Sequence, residues 1–149
     1  PVKVVWTDLE YRAFQQLKQA LCECMRRNLY TIRYGEPFGV HVDASKYAVG
    51  ACLTQWNEDG SERPISFASS KLSGSQLSWA AIEKEAYAVV WALNKFRTWC
   101  FGVPIVVFSD SNPLTYLTSG ATKSEKLTRW SLALQEYNVT FKYRRGLLT

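Results

Sequence analysis

The sequence predicts an α/β domain, built from a three-strand antiparallel meander, a helical crossover and two further strands in a parallel arrangement. Three observations carry this prediction. Apolar residues recur with period two over Phe38–Asp43, Tyr47–Trp56 and Arg63–Ala68, three runs separated only by turns. A stretch of helical period follows, from about Gln76 to Trp99. After it comes Pro104-Ile-Val-Val-Phe108, an almost wholly apolar run of the kind buried on both faces of a sheet.

With 149 residues, 47% of them hydrophobic and 14% aromatic, the chain can bury a core and is not a disordered tail. No apolar run is long enough to span a bilayer and the N-terminus lacks signal-peptide character, so no membrane partner is expected. The four cysteines (Cys22, Cys24, Cys52, Cys100) form no C-x-x-C pair and have no histidine at zinc spacing, which suggests free thiols in a reducing, intracellular compartment. Of the net charge of +5, +4 lies after Gly120, where Lys123, Lys126, Arg129, Lys142, Arg144 and Arg145 face only Glu125 and Glu136. Such a cluster suits a polyanion; a solvated basic face is the alternative.

Taken in order, Thr7-Asp-Leu-Glu10 has capping-box spacing and opens a helix that carries Phe14, Leu17, Leu21 and Met25, ending near Asn28. Tyr34-Gly-Glu-Pro37 is a turn, which makes residues 1–36 an appendage and 37–149 the main domain. In the first strand Phe38, Val40 and Val42 point one way and His41 and Asp43 the other. The second strand contains Gly50, read as a place of close backbone approach, and Asn57-Glu-Asp-Gly-Ser61 turns the chain into the third. The fourth strand stops at Ser109-Asp110, a short helix is expected over 112–117, and Thr122-Lys-Ser-Glu125 caps a helix to about Tyr137. Val139–Arg145 alternates as a last strand. The order is thus β-β-β-α-β-α-β behind a leading helix.

On the long helix, Lys84, Asn94, Lys95 and Arg97 fall near Glu83 and form a polar face. Opposite them are Ala81, Ile82, Ala88, Val89, Ala92, Leu93 and Phe96, and among these sits Glu85. A carboxylate on a buried stripe is costly unless a cation or a donor meets it. A satisfied core glutamate, or one that reaches the helix start, is the alternative. A right-handed crossover lays the fourth strand parallel to the first, so Asp43 and Asp110 end side by side with Glu85 above them. Three converging acids stay ionised when a divalent cation neutralises them, and all-oxygen ligation selects Mg²⁺ or Mn²⁺. Two such ions about 4 Å apart can drive phosphodiester hydrolysis without a histidine base. His41 reads equally well as structural, and neither Ser45 nor Ser109 has a base to activate it.

Five collinear segments carry a family resemblance: PFGVHVDASKYAVGACLTQW (37–56), RPISFASSKLS (63–73), IEKEAYAVVWALNKFR (82–97), FSDSNPLTYL (108–117) and LTRWSLALQEYNVTFKYRRG (127–146). Together they resemble the ribonuclease H domain of gypsy-type long-terminal-repeat retrotransposon Pol polyproteins, or of a host gene derived from one. Residues 1–36 look like the tail of the preceding reverse transcriptase region. The resemblance implies a ribonuclease H-like fold, a mixed five-stranded sheet with flanking helices. It also implies a two-ion, Mg²⁺- or Mn²⁺-dependent cleavage of the RNA strand of RNA–DNA hybrids, in a cytoplasmic retroelement particle or in the nucleus. It assigns the catalytic, metal-holding acids to Asp43, Glu85 (not Glu83) and Asp110. The family's fourth acid follows the Arg-Gly turn in an A-D-A-L-S-R-like motif, and this sequence stops at Thr149, short of it.

The expected nucleic-acid contacts are Lys123, Lys126, Arg129, Lys142 and Arg144. Ser45 and Asn112 are candidate readers of the 2′-hydroxyls, a turn or cap role being the alternative for each. The competing functional reading is a catalytically silent ribonuclease H-like module that binds nucleic acid or a protein. The retention of all three acids favours the enzyme.

Overall fold

Phe38, Val40 and Val42 alternate with Gly39, His41 and Asp43, and folding sends the first set into the core while Asp43 stays exposed. The computed structural model describes residues 3–27, 31–110 and 124–144. Contacts divide the chain into two units, Pro1–Thr31 and Ile32–Thr149.

In the first unit, α1 (Asp8–Arg27) starts from the expected cap: the Thr7 N–H donates to Glu10 Oε2 at 2.8 Å, and the Leu9 N–H reaches Thr7 Oγ1 at 3.3 Å.

The second unit begins at Ile32. The buried Gln55 amide holds the chain at Arg33 to it. It donates to the Arg33 carbonyl at 2.8 Å and accepts from the Arg33 N–H at 3.0 Å, while Ile32 packs against the core. The sheet comprises β1 (Phe38–Ala44), β2 (Ala48–Trp56), β3 (Glu62–Lys71), β4 (Pro104–Ser109) and β5 (Asn138–Tyr143), in the order β3-β2-β1-β4-β5. β1–β2 and β2–β3 are antiparallel, β1–β4 and β4–β5 parallel, which is the predicted mixed five-stranded sheet. Val40, Val42, Val49, Leu53, Ile105 and Val107 form its apolar face and pack with Ala88, Val89, Ala92 and Leu93 of α2 (Ala81–Lys95).

The long helix departs from expectation. It is divided into a 3-10 turn (Gly74–Ser78), α2 and a short α3 (Arg97–Cys100), with extended backbone at Trp79 and Ala80. Glu83 accepts the Ala80 N–H at 3.1 Å and so caps α2 at its actual start. Ala81, at that start, is exposed. Lys84, assigned to the polar face, is instead buried at 6% exposure. The division of the helix supplies the reason, because Leu77 presents its carbonyl to the lysine.

The last helix, α4 (Glu125–Leu134), is capped by Ser124, whose Oγ accepts from the Leu127 N–H at 3.4 Å; it packs on α2. It stops before Tyr137, whose N–H closes a turn on the Leu134 carbonyl at 3.0 Å. The close approach placed at Gly50 belongs to Gly39. A Cβ at Gly50 would meet nothing within 4 Å, whereas one at Gly39 would collide with Thr54 Oγ1 and press on Trp56 and Phe108. The short helix expected over 112–117 lies outside the described residues. No described helix is long and apolar enough to cross a membrane.

Candidate metal centre

Parallel register builds the centre. β1 pairs with β4 from Phe38↔Ile105 to His41↔Phe108, so Asp43 and Asp110, each two residues further on, come level at one edge. α2 packs over β1 and contributes Glu85 from its first turns. One carboxylate oxygen from each of Asp43, Glu85 and Asp110 lies within 4.8 Å of the others. Asp43 and Asp110 are exposed and Glu85 is half-buried.

Glu85 Oε2 is buried and has no hydrogen-bond partner among the described residues. Burial, then the charges of Asp110 and Asp43, push the Glu85 carboxyl up from 4.5 to about 7. A satisfied core glutamate would show the reverse, with donors around it. A carboxyl with one orphaned oxygen, grouped with two further carboxylates, is the arrangement a hard divalent cation completes. The all-oxygen donor set fits Mg²⁺ or Mn²⁺.

His41 takes no part. Its Nε2 lies 2.5 Å from Glu62 Oε2 and its ring stacks on Phe108 at 4.5 Å, a structural role on the strand. Ser45, the candidate 2′-hydroxyl reader, sits at the end of β1 and has the turn role named as its alternative. Its Oγ donates to the Ala48 carbonyl at 3.1 Å and accepts from the N–H groups of Ala48 (2.9 Å) and Tyr47 (3.2 Å), forming the β1–β2 turn. Asn112 and Lys123 lie outside the described residues.

The basic residues expected to contact nucleic acid lie on two elements, on either side of the sheet. Lys126 and Arg129 ride on α4, in the helical layer. On β5, Val139 and Phe141 pack into the core, so Lys142 projects from the opposite face and Arg144 lies over the Phe108 ring at 5.8 Å. Both groups stay near the acidic edge. Lys126 Nζ lies 3.6 Å from Glu83, two residues from Glu85, and the Arg144 N–H donates to the Ser109 carbonyl at 2.9 Å.

Two features beside the acids escaped the sequence reading. Trp79, Tyr87 and Trp130 meet at 5.3–6.0 Å between centroids, with Lys126 Nζ 4.7 Å from the Trp79 ring centre. Trp79 was read as one more helical residue, and nothing in its spacing announces that the helix restarts after it. The other is Lys84, whose burial runs against the helical period.

Comparison with known proteins follows the same architecture. Residues 33–137 match the family model described as "RNase H-like domain found in reverse transcriptase". The chain is 38% identical over 144 residues to the retrovirus-related Pol polyprotein from transposon 412 of Drosophila melanogaster, covering 95% of this chain and 11% of that polyprotein. Among solved structures it is similar to the foamy viral protease-reverse transcriptase in complex with RNA/DNA hybrid, with TM-score 0.60 and 24% identity over 97% of this chain and 20% of that one. It is also similar to RNase H1 from the halophilic archaeon Halobacterium salinarum NRC-1, with TM-score 0.56 and 17% identity over 74% of this chain and 86% of that one.

Proposed function

Since the chain belongs to the family of RNase H-like domains found in reverse transcriptases, we propose that it hydrolyses the RNA strand of RNA–DNA hybrids with divalent cations held by Asp43, Glu85 and Asp110. The retroelement is read as gypsy-type, or as a host gene derived from one. Residues 1–36 are read as the tail of the reverse transcriptase region and 37–149 as the nuclease domain, with the reverse transcriptase of the same polyprotein as partner. Its place of work is a cytoplasmic particle or the nucleus. The observation that carries the reading is the convergence of the three carboxylates, one of which, Glu85, has a buried oxygen with no hydrogen-bond partner among the described residues.

When bound, Mg²⁺ or Mn²⁺ supplies Lewis acidity toward the scissile phosphate and makes a bound water acidic enough to attack. The protein's share is placement and charge. Asp43 and Asp110 are fixed by the parallel register of two strands, so their spacing is set before substrate arrives. Glu85, its carboxyl raised to about 7 by burial and by the charges of Asp110 and Asp43, would exchange a proton for a bound cation near neutrality. Hydrolysis then needs no side-chain nucleophile, in keeping with Ser45 being committed to its turn and Ser109 being buried. Lys126, Arg129, Lys142 and Arg144 are the candidate phosphate contacts, with Lys123 and Asn112 beside them in sequence.

The test presents matched RNA–DNA hybrid, duplex DNA and duplex RNA, in Mg²⁺ and in Mn²⁺. It uses this chain and the chain extended through the next acid of its natural reading frame. Cleavage confined to the RNA of the hybrid and lost in Glu85→Gln is the expected result. Absence of cleavage by both chains in both metals would replace this reading with the silent binding module.

A further inference from the structure

A buried lysine needs a reason. At 6% exposure the Lys84 ammonium has given up most of its water, and a methionine would fill similar space without that cost. Its Nζ donates to the Lys46 carbonyl at 3.1 Å and to the Leu77 carbonyl at 2.9 Å. These carbonyls belong to separate segments. Lys46 lies in the turn between β1 and β2, three residues after Asp43, and Leu77 lies in the 3-10 turn that leads into α2. Lys84 itself immediately precedes Glu85. One cation thus joins the turn behind the first acid to the helix that carries the second.

The turn it grips is firmly made. The Ser45 N–H donates to the Ala48 carbonyl at 2.8 Å, and the Leu72 N–H donates to the Tyr47 carbonyl at 2.7 Å, which ties the turn to the end of β3. The backbone at Asp43, paired with Gly50, is thus continuous with the turn whose Lys46 carbonyl Lys84 holds. The need for such a tie is electrostatic. Carboxylate oxygens within 4.8 Å of one another repel, and the acids sit on separate elements that packing alone would have to hold together.

We infer that Lys84 is a positioning residue, its ammonium clamping the β1–β2 turn and the 3-10 turn to the start of α2 and thereby setting the spacing of Asp43 and Glu85 for a divalent cation. The inference rests on the reading of the three acids as a cation site. A group that orients ligands in this way typically governs metal affinity by about 10–100-fold. Lysine suits the task because a compact point charge can sit between two carbonyls, whereas the planar fork of arginine cannot be placed there without displacing one of them.

The full chain is titrated with Mn²⁺ alone by calorimetry, with circular dichroism to establish folding and steady-state cleavage of an RNA–DNA hybrid as a second readout. In Lys84→Met the Mn²⁺ dissociation constant should rise about tenfold or more. Its kcat should fall while KM for the hybrid changes little, since phosphate contacts lie elsewhere. Lys84→Arg keeps the charge and guards against a misfolded methionine variant; its Mn²⁺ affinity should also fall, by about threefold or more. Either variant, folded and binding Mn²⁺ within about twofold of the parent, overturns the clamp. A parent chain that binds no Mn²⁺ overturns the metal reading, a failure visible before any variant is compared.

Discussion

Replacing Glu85 by Gln should stabilise the metal-free protein, and the size of the gain should depend on pH. Burial and the charges of Asp110 and Asp43 raise the Glu85 carboxyl from 4.5 to about 7 in the folded state. Between those values the folded protein holds a proton that the unfolded chain has released. Stability is therefore greatest below about 4.5, declines as pH rises toward about 7 and is level above it. At 1.36 kcal/mol per pH unit the full decline would be about 3 kcal/mol, and solvent screening at this half-buried site brings it to about 2 kcal/mol. A glutamine cannot ionise, so the decline should be missing from the variant. Its amide still loses some hydration at the half-buried site, which leaves an expected gain of about 1–2 kcal/mol at pH 8 and almost none at pH 4.5. Thermal unfolding in EDTA should show this as a rise in Tm of about 3–8 °C at pH 8. Saturating Mg²⁺ should reverse the ranking, since a ligand at 100 times its Kd adds about 2.7 kcal/mol to the parent and little to a variant that has lost one ligand. A Glu85→Gln protein with the parent's Tm and the parent's pH dependence in EDTA would refute the argument that these carboxylates oppose one another.

Asp43→Asn should nearly abolish cleavage in single-turnover assays while hybrid affinity, measured by fluorescence anisotropy, stays equal or tightens; parallel loss of folding would make the residue structural. Gly39→Ala forces a methyl into Thr54 Oγ1 beneath Trp56 and Phe108. It should cost about 1–3 kcal/mol in urea unfolding, and an effect below about 0.5 kcal/mol would mean that Thr54 turns away freely. If three basic side chains neutralise phosphates, log K for hybrid against log salt should slope at about −2 to −3. Because the sheet separates Lys126 and Arg129 from Lys142 and Arg144, alanine substitution of one pair should flatten the slope and substitution of the other should not; equal effects would point to a substrate that reaches both faces.

How much of this was legible in the sequence depends on the range of the interaction concerned. Asp43 and Asp110 could be placed because each ends an apolar strand, and the handedness of the crossover brings those strand ends together. Glu85 stood out because helical period alone sets it among apolar neighbours. The basic tail shows the opposite limit: closeness in sequence does not say which face each residue occupies, and alternation along β5 sends Lys142 away from the helical layer that carries Lys126. Ser45 was ambiguous in sequence, since a hydroxyl that closes a turn and one that reads a groove have the same local sequence, and the structure shows the turn role. Gly39 gave no signal, its constraint coming from Thr54 on the neighbouring strand.

Lys84 marks where periodicity stops being informative. The division of the long stretch at Trp79 and Ala80 turns the Leu77 carbonyl back toward the helix, and only then does a lysine on the inner side become affordable. The two residues of α2 that break the amphipathic rule are consecutive, a buried cation and a half-buried anion, and they do not pair with each other in any contact described here. Lys84 turns to main-chain carbonyls, and Glu85 Oε2 is left without a hydrogen bond among the described residues. Had the lysine neutralised the glutamate, the edge would be a settled ion pair with no call for a further charge. By spending its hydrogen bonds on the backbone, Lys84 holds the edge in shape while leaving its negative charge uncompensated, the condition under which an external cation adds most.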